Sequence, residues 1–388
     1  MEIVNLEDFL DRFSKQSPKV TTLTQFKKAA KVRAGPHLHT LTSYMQGKTI
    51  PEEDIQLLFE NIQNRNEYLT RFYNLSLQIH QDKLHMTDIP PMKNKHIDNN
   101  QQLVFKNLIR NIHLDDILQN TQSGLANNPT FLTMLTDFFC HSIIDYKLLT
   151  PSARHYIREG RIGSIFSSYY FRASIMNPYL VYSLNKSVLR GTRVFTPTLG
   201  WSSYSYGFLE CPEVIEYVGT DVIPSVCKKT KTLIRSMNSF RKRENMTVVD
   251  SKIFCQPSES LYHSKPFLAK YEHHFDLVFF SPPYYRLELY KGGAQSTDEY
   301  DSYEIWLEKY WKQTIELCHH VLIKGGKMCY ILSGYGSETT AEQYNLLTDM
   351  NRITQNYFKL VSKQPMLNKN VNVTQHRETG ETIMVFVK

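Results

Sequence analysis

The stretch Ser281-Pro282-Pro283-Tyr284 carries residue types that could do chemistry, and it directly follows the apolar run Leu277 to Phe280. The Ser281 hydroxyl and the Pro282 carbonyl can each accept a hydrogen bond from an amino group. The two prolines stiffen the backbone and bring no N–H of their own that could occupy the carbonyl. Tyr284 adds a flat ring for stacking. These residues therefore indicate a rigid loop that presents hydrogen-bond acceptors beside an aromatic ring.

The segment Phe275 to Tyr284 resembles the catalytic motif of the DNA amino-methyltransferases: a strand, then Asp, Asn or Ser, then Pro-Pro and an aromatic residue. The resemblance implies methyl transfer from S-adenosyl-L-methionine to the exocyclic amine of cytosine (N4) or adenine (N6). It makes Ser281-Pro282-Pro283-Tyr284 the catalytic residues, with the tyrosine stacking on a flipped base. Tyr303-x-x-Trp306 and Gly325-Gly326 follow as they do in similar proteins of phages and large DNA viruses.

The segment Thr196-Pro197-Thr198-Leu199-Gly200 follows the apolar pair Val194-Phe195 and resembles the Asp-Pro-x-x-Gly cofactor loop of the same family. The resemblance makes Thr196, Pro197, Thr198 and Gly200 candidate cofactor-binding residues, with the glycine supplying a tight turn. Thr196 replaces the family's acidic residue, which often contacts the methionine ammonium. Because threonine carries no charge, weaker cofactor binding or an inactive descendant stays open.

Three further segments are assigned to the cofactor by the resemblance. Asp221 ends a second apolar run, where a carboxylate can accept hydrogen bonds from both ribose hydroxyls. Ser258 and Glu259 follow the third run and are candidates for the adenine edge. Ser174 lies in the segment Phe171 to Tyr179, which in the family closes over the methionine part. The structural alternatives are a helix N-cap at Asp221 and a helix start at Ser174 and Pro178.

Short apolar runs alternate with helical stretches in the second half of the chain, which predicts a mostly parallel sheet covered on both faces. Phe358 to Val361 and Ile383 to Val387 predict a terminal antiparallel hairpin. The predicted fold class is α/β, a doubly wound, seven-stranded, Rossmann-like methyltransferase sheet preceded by a mainly helical N-terminal domain. We place the domains at residues 1–148 and 149–388. The predicted strands lie at Val194-Phe195, Tyr217-Val218, Val248-Val249, Leu277 to Phe280 and Met328 to Leu332.

The composition is that of a globular protein, since 388 residues with 41% hydrophobic content can build two cores. The net charge of +7 is compatible with a polyanionic partner. We expect this partner to be a nucleic acid, with DNA favoured over RNA. The basic stretch Lys228 to Arg243 is expected to be a solvated helix face, with DNA contact as the alternative. No CxxC pair occurs and no apolar run has membrane-span length. We therefore expect a soluble, intracellular protein without a metal.

Two functions of other classes stay open. One is a catalytically inactive methyltransferase-like protein that binds nucleic acid or serves as a subunit of a complex. The other is a methyltransferase that acts on RNA or on protein glutamine, because Asn-Pro-Pro-Tyr loops serve there as well. Serine at the first loop position is more frequent in cytosine N4 enzymes, but the sequence leaves both bases open.

Overall fold

The computed structural model describes residues 2–14, 20–123, 129–159, 161, 165, 173–333, 344–367 and 380–388. Contacts divide the chain into two compact units. The sheet unit comprises Ile79–His113 and Ser174–Lys388, and the helical unit comprises Glu2–Gln78 and Leu114–Ala173. This division differs from the boundary predicted at 148/149. Residues 79–113 belong with the sheet, whereas residues 149–173 belong with the helical unit.

The sheet unit is built on a seven-stranded sheet. Its strands are β1 (Arg193–Thr196), β2 (Glu216–Asp221), β3 (Asp250–Cys255), β4 (Phe275–Phe280), β5 (Leu322–Leu332), β6 (Lys359–Pro365) and β7 (Thr382–Val387). Their order across the sheet is β6-β7-β5-β4-β1-β2-β3. Strands β1 to β5 run parallel to one another, and β7 runs antiparallel to both β5 and β6. This order confirms the predicted doubly wound sheet with its terminal antiparallel hairpin.

The third strand begins later than the sequence predicts. Val248 and Val249 were expected in it, but β3 starts at Asp250. The Asn238 side chain accepts from the Val249 N–H at 3.0 Å and donates to the Val249 carbonyl at 2.9 Å. Because one side-chain amide satisfies both backbone groups, Val249 needs no partner strand. Val248 is exposed.

Helices cover both faces of the sheet, as a doubly wound arrangement requires. Pro178–Leu184, Ser203–Leu209 and Pro224–Arg243 pack against each other in one layer, and Ser258–Tyr262, Lys265–Tyr271 and Gln313–Val321 pack in another. Two segments are π-helical, Asn185–Leu189 and Leu307–Lys312. The remaining elements of this unit are Gln81–Lys83, Asn94–His96, Leu103–Ile112, Glu288–Tyr290, Ser296–Glu299, Tyr303–Trp306 and Leu346–Thr354.

The helical unit is mainly α-helical, as predicted, with one small sheet. His37–Thr40 pairs antiparallel with Lys31–Ala34, which pairs parallel with Ile143–Asp145. Buried aromatic rings, among them Phe9, Phe72 and Phe131, form its core. The other elements are Leu6–Asp11, Leu23–Ala29, Leu41–Met45, Glu52–Gln63, Arg65–Ser76, Leu114–Leu118, Thr121–Ser123, Phe131–His141, Tyr146–Leu149 and Pro151–Arg158.

The basic stretch of the sheet unit is not a uniform solvated face, because Arg241 is buried. Its guanidinium donates five hydrogen bonds, at 2.6–3.1 Å, to the carbonyls of Leu209, Cys211, Pro212, Val214 and Thr247. Four of these carbonyls, those of Leu209 to Val214, lie at and just beyond the end of helix Ser203–Leu209, where the helix leaves acceptors without partners, and the Thr247 carbonyl lies shortly before β3. Arg241 therefore fixes the connection between this helix and β2. Other basic side chains of the stretch are exposed, as expected, including Lys228, Lys231, Arg235, Lys242 and Arg243.

Replacing Arg241 tests this role. Arg241→Met should lower the stability of the protein by about 3 kcal/mol, because five carbonyls lose the charged donor that the buried guanidinium provides. The matched control is Lys242→Met, an exposed neighbour whose change should have an effect within about 0.5 kcal/mol. Thermal unfolding followed by circular dichroism measures both. Equal melting temperatures for the two variants would contradict the structural role.

Candidate active site

The predicted cofactor loop and the predicted catalytic loop lie side by side, because they follow the adjacent parallel strands β1 and β4. The Thr198 hydroxyl donates to the Ser281 carbonyl at 3.4 Å. Buried Tyr204 joins the two loops more firmly, since its hydroxyl accepts the Ser281 N–H at 3.0 Å. Burial raises the pKa of Tyr204, so the phenol stays neutral. The sheet thus brings together two loops that are distant in the sequence.

Gly200 has the backbone conformation that the loop resemblance implied. Its φ is +52°, and the next two residues, Trp201 and Ser202, also have left-handed backbone at φ +57° and +67°. A Cβ on Gly200 would lie 2.2 Å from the Tyr204 ring. The Ser202 hydroxyl is held by His113 Nε2 at 2.8 Å and by the Thr230 hydroxyl at 2.7 Å. These buried contacts hold a turn that L-residues otherwise avoid.

Ser281 is positioned as a hydrogen-bond acceptor. Its Oγ donates to the backbone carbonyl of Ile331 in β5 at 3.0 Å. A hydroxyl has one proton, so this bond leaves only acceptor lone pairs for a third group. Next to it stand buried Pro282 and partly exposed Pro283, neither of which has a backbone N–H. The loop therefore presents oxygen acceptors at the carboxyl edge of the sheet.

Tyr284 is anchored by its hydroxyl. That oxygen accepts the backbone N–H of Ser333, the residue after β5, at 3.0 Å, and the side chain is partly exposed. Burial raises the pKa of Tyr284, and the nearby carboxylate of Glu381 raises it further. The following residue, Tyr285, is buried against Tyr303, Trp306 and Tyr344. The catalytic loop is thus fixed at its start by Tyr204 and at its end by this aromatic cluster.

Asp221 lies at the end of β2, beside the cofactor loop. Its Oδ2 accepts the Leu199 N–H at 3.2 Å, and its Oδ1 accepts the Ile223 N–H at 3.1 Å. The structural alternative is not observed, because helix Pro224–Arg243 has Ile223 as its N-cap, with no side-chain cap. Each carboxylate oxygen has further lone pairs. Asp221 can therefore orient the loop and still accept ligand hydroxyls.

Thr196 does not lie open to a ligand. Its side chain is fully buried, and its hydroxyl is 2.8 Å from the Tyr217 hydroxyl. Pro197 is buried next to it. Gly219 completes this packing, since a Cβ there would lie 2.8 Å from Thr196 Oγ1. The position that carries an acid in the resembled family is therefore part of the core.

Ser258 and Glu259 begin the helix that follows β3, and both are buried. The Ser258 hydroxyl is 2.8 Å from the Thr314 hydroxyl, and Glu259 Oε1 accepts from the Tyr300 hydroxyl at 3.3 Å. Burial raises the pKa of Glu259, which favours its neutral form. Tyr310, on the π-helical segment, carries a buried hydroxyl without a hydrogen-bond partner among the residues that the structure describes.

The unpartnered Tyr310 hydroxyl lies close to two residues of the predicted cofactor site, Glu259 and Asp221. Burial raises the pKa of Tyr310, and the charges of Glu259 and Asp221 raise it further. A buried hydroxyl without a partner is costly, and such groups are typical of functional sites. A π-helical turn often marks such sites as well. Tyr310 is therefore a candidate ligand contact that no sequence motif indicated.

Ser174 belongs to a second polar cluster at the same edge. Its N–H and its hydroxyl donate to Glu288 Oε1 at 3.2 and 2.9 Å, and the Tyr290 hydroxyl donates to Glu288 Oε2. Burial raises the pKa of Glu288. The helix-start alternative is confirmed for Pro178, where the next helix begins with Asn177 as N-cap, and is wrong for Ser174. Phe171 and Arg172, of the same predicted segment, lie outside the described residues.

The described residues contain no group of three His, Cys, Asp or Glu side chains that could hold a metal ion. Among the described helices, none combines the length and the apolar character that crossing a membrane requires.

No protein-family model matches the chain, and no curated protein sequence does. Solved structures are similar at low identity. The N-methyltransferase NodS from Bradyrhizobium japonicum WM9 is 11% identical over 54% of this chain and 91% of its own, with a TM-score of 0.31. TrmN from Thermus thermophilus is 13% identical over 54% and 48%, with a TM-score of 0.33. Aeropyrum pernix fibrillarin with bound S-adenosyl-L-methionine is 10% identical over 51% and 66%, with a TM-score of 0.32.

The strand order of the sheet defines the fold class, and the loops at its carboxyl edge hold the residues of the candidate site.

The close approach of Gly200 and Tyr204 can be tested by a matched pair of variants. Gly200→Ala combines a left-handed φ with a clash against the buried ring. Gly325→Ala places the same side chain at φ +77° with nothing within 4 Å. Gly325→Ala should cost about 1–2 kcal/mol, and Gly200→Ala at least about 2 kcal/mol more. Chemical unfolding measures both. Equal losses would contradict the packing of Tyr204 on the loop.

Proposed function

We propose that the chain transfers a methyl group from S-adenosyl-L-methionine to the exocyclic amino nitrogen of a DNA base, cytosine N4 or adenine N6. The observation that carries this proposal is the hydrogen bond from Ser281 Oγ to the Ile331 carbonyl at 3.0 Å. Because this bond uses the one proton of the Ser281 hydroxyl, the oxygen can only accept a hydrogen bond from a further group. An exocyclic amine, which has two N–H donors, is the group that such an oxygen would bind.

The proposed mechanism depends on the geometry of the catalytic loop. An exocyclic amine is a poor nucleophile, because its lone pair is delocalised into the ring. Ser281 Oγ and the Pro282 carbonyl accept the two N–H bonds and draw the nitrogen toward a tetrahedral form. The lone pair then leaves the plane of the ring, and positive charge that develops on nitrogen is stabilised by fixed acceptors. S-adenosyl-L-methionine, when bound, supplies an electrophilic methyl group.

Tyr284 holds the base in this mechanism. Its hydroxyl is fixed by the Ser333 N–H, so its ring has one orientation and loses little freedom when a base stacks on it. Stacking on a flat ring favours a nucleic-acid base over the aliphatic amide of protein glutamine. The net charge of +7 supports a polyanionic substrate. The choice of DNA over RNA rests on the resemblance of the loop.

The residues at the carboxyl edge fit the cofactor. In this proposal the Asp221 carboxylate, which orients the cofactor loop, accepts hydrogen bonds from the ribose hydroxyls, and Ser258 and Glu259 contact the adenine edge. The Tyr310 hydroxyl needs a partner that the described protein does not supply. Thr198 and Gly200 shape the loop, and Ser174 with Glu288 forms the polar cluster expected at the methionine end.

A second candidate function is favoured by Thr196. Its buried, hydrogen-bonded side chain offers no charge and no open oxygen for a methionine ammonium. A protein that keeps the fold without turnover, as a nucleic-acid-binding protein or a subunit of a complex, would tolerate this change. The two candidates differ in one measurable property, the affinity for the cofactor.

Titration calorimetry with S-adenosyl-L-methionine measures that affinity. The wild type should bind, and Tyr310→Phe should bind about tenfold more weakly, because it loses one buried hydrogen bond to the ligand. The control is Tyr357→Phe, whose hydroxyl is bound to Glu316 at the surface. No detectable binding by the wild type would favour the inactive candidate. Equal affinities of wild type and Tyr310→Phe would remove Tyr310 from the site.

Replacing the acceptor itself tests the proposed catalytic role. Ser281→Ala should reduce methyl transfer to unmethylated DNA by about 100-fold or more, because one fixed acceptor is lost where charge develops. Its affinity for the cofactor should stay within about threefold of the wild type. Ser239→Ala, which lies on an exposed helix position, is the matched control. A Ser281→Ala protein that methylates at the wild-type rate would contradict the mechanism.

A further inference from the structure

The proposed transfer leaves a proton to be removed, and the catalytic loop has no group that can take it. As the nitrogen bonds to the methyl carbon and the carbon–sulfur bond breaks, the nitrogen becomes positively charged while it still holds both protons. One N–H proton must then leave to give the neutral methylated amine. The Ser281 hydroxyl is no base, and the Pro282 carbonyl is none either.

A carboxyl group lies next to this loop through the pairing of the last strand. Thr382 of β7 is opposite Leu332 of β5, which places Glu381 beside Ser333. Ser333 donates its N–H to the Tyr284 hydroxyl. The Glu381 carbonyl accepts the Met366 N–H at 2.8 Å, so its backbone is held on the other side as well. Glu381 is thus fixed at the same edge as the Ser281–Ile331 hydrogen bond.

The surroundings of this side chain suit a group that takes up and releases a proton. Within the part of the chain that the structure describes, no residue donates a hydrogen bond to its carboxyl group. The groups that act on it are Lys106, from helix Leu103–Ile112, and the carboxyl of Glu288. Its own charge acts on the Tyr284 phenol. The side chain is partly exposed, so a proton it accepts can pass on to water.

We propose that the Glu381 carboxylate accepts the proton that the target nitrogen loses on methylation. This inference rests on the proposed function and adds a catalytic residue to it. The carboxylate takes the N–H proton, the electron pair of that bond stays on nitrogen, and the carboxylic acid then gives the proton to water. Lys106 favours the charged carboxylate, whereas burial and Glu288 favour the neutral acid, so neither form is locked in place.

These opposing effects on the Glu381 carboxyl give it a pKa that a pH profile of the reaction can detect. Burial and the Glu288 charge raise the pKa of Glu381 to about 7, against the opposing effect of Lys106. A base with a pKa near the working pH can both accept and release a proton. The rate of methyl transfer should therefore rise with pH up to about 7 and level off above it.

The test compares kcat as a function of pH in four proteins. The control is Glu272→Gln, which changes an exposed residue just before the amino-terminal end of β4. The wild type and this control should both show kcat increasing with pH. Glu381→Gln should lose about 100-fold in kcat above pH 7, with no rise and an unchanged KM for DNA. Glu381→Asp keeps a carboxylate and should retain at least tenfold more activity than Glu381→Gln.

A second readout needs no activity. A carboxyl with a raised pKa is neutral in the folded protein at low pH and must ionise, at a cost to stability, as the pH rises from its ordinary value through about 7. Glu381→Gln removes that cost. Its melting temperature relative to the wild type should therefore increase over this pH range and stay constant above it, while Glu272→Gln should follow the wild type.

Every outcome either supports or overturns the role of Glu381 as the proton acceptor. Loss of kcat in Glu381→Gln with retention in Glu381→Asp supports proton transfer. Equal losses of kcat in Glu381→Gln and Glu381→Asp would overturn proton transfer by Glu381, and so would a wild-type pH profile in Glu381→Gln. In either case, methyl transfer by the wild type would uphold the proposed function. A pH-independent stability difference between Glu381→Gln and the wild type also overturns it. A wild type that binds the cofactor and methylates no base overturns the proposed function and this role together.

Discussion

The buried phenol of Tyr204 is the contact on which the candidate site depends. Its hydroxyl accepts the Ser281 N–H, and its ring fills the space that a side chain on Gly200 would need. One residue thus fixes the distance between the loop after β1 and the loop after β4. The parallel order of the strands brings the loops to one edge, but it does not set their separation. The buried side chain of Tyr204 holds that separation.

The rest of the site extends this fixed geometry. Asp221 orients the cofactor loop from the side of β2, and the Ser333 N–H fixes Tyr284 from the end of β5. The energetic cost is visible in the three successive left-handed residues from Gly200 to Ser202 and in the unpartnered Tyr310 hydroxyl. Strain and unsatisfied polar groups persist where the surrounding packing compels them, and both here lie at one edge of the sheet.

Much of this arrangement could be predicted from the sequence, because strands β1, β2, β4 and β5 are apolar runs and their loops follow a recognisable pattern. The start of β3 could not be predicted, since it depends on a side-chain amide, Asn238, from the preceding helix. The burial of Arg241 was hidden for a similar reason. A basic residue in a basic stretch is expected to be solvated, and only the folded structure brings five carbonyls to the Arg241 guanidinium.

The same limit applies within the candidate site. Ser281, Asp221 and Gly200 could be named from local patterns, whereas Tyr204, Tyr310 and Glu381 carry no local signal. Their roles come from the order of strands, which places β7 beside β5 and the helix after the catalytic loop beside Asp221. Thr196 was identified as a departure from the family pattern. Its hydrogen bond to Tyr217, which makes it a core residue, required the structure.

The central claim is that the Ser281 loop directs a methyl group to an exocyclic amine of DNA. The most direct measurement is nucleoside mass spectrometry of unmethylated DNA after incubation with the wild-type protein and S-adenosyl-L-methionine carrying an isotopically labelled methyl group. The account predicts labelled N4-methylcytosine or N6-methyladenine that increases with time. Label on ring carbon, or no labelled nucleoside from a protein that binds both the cofactor and DNA, would contradict it.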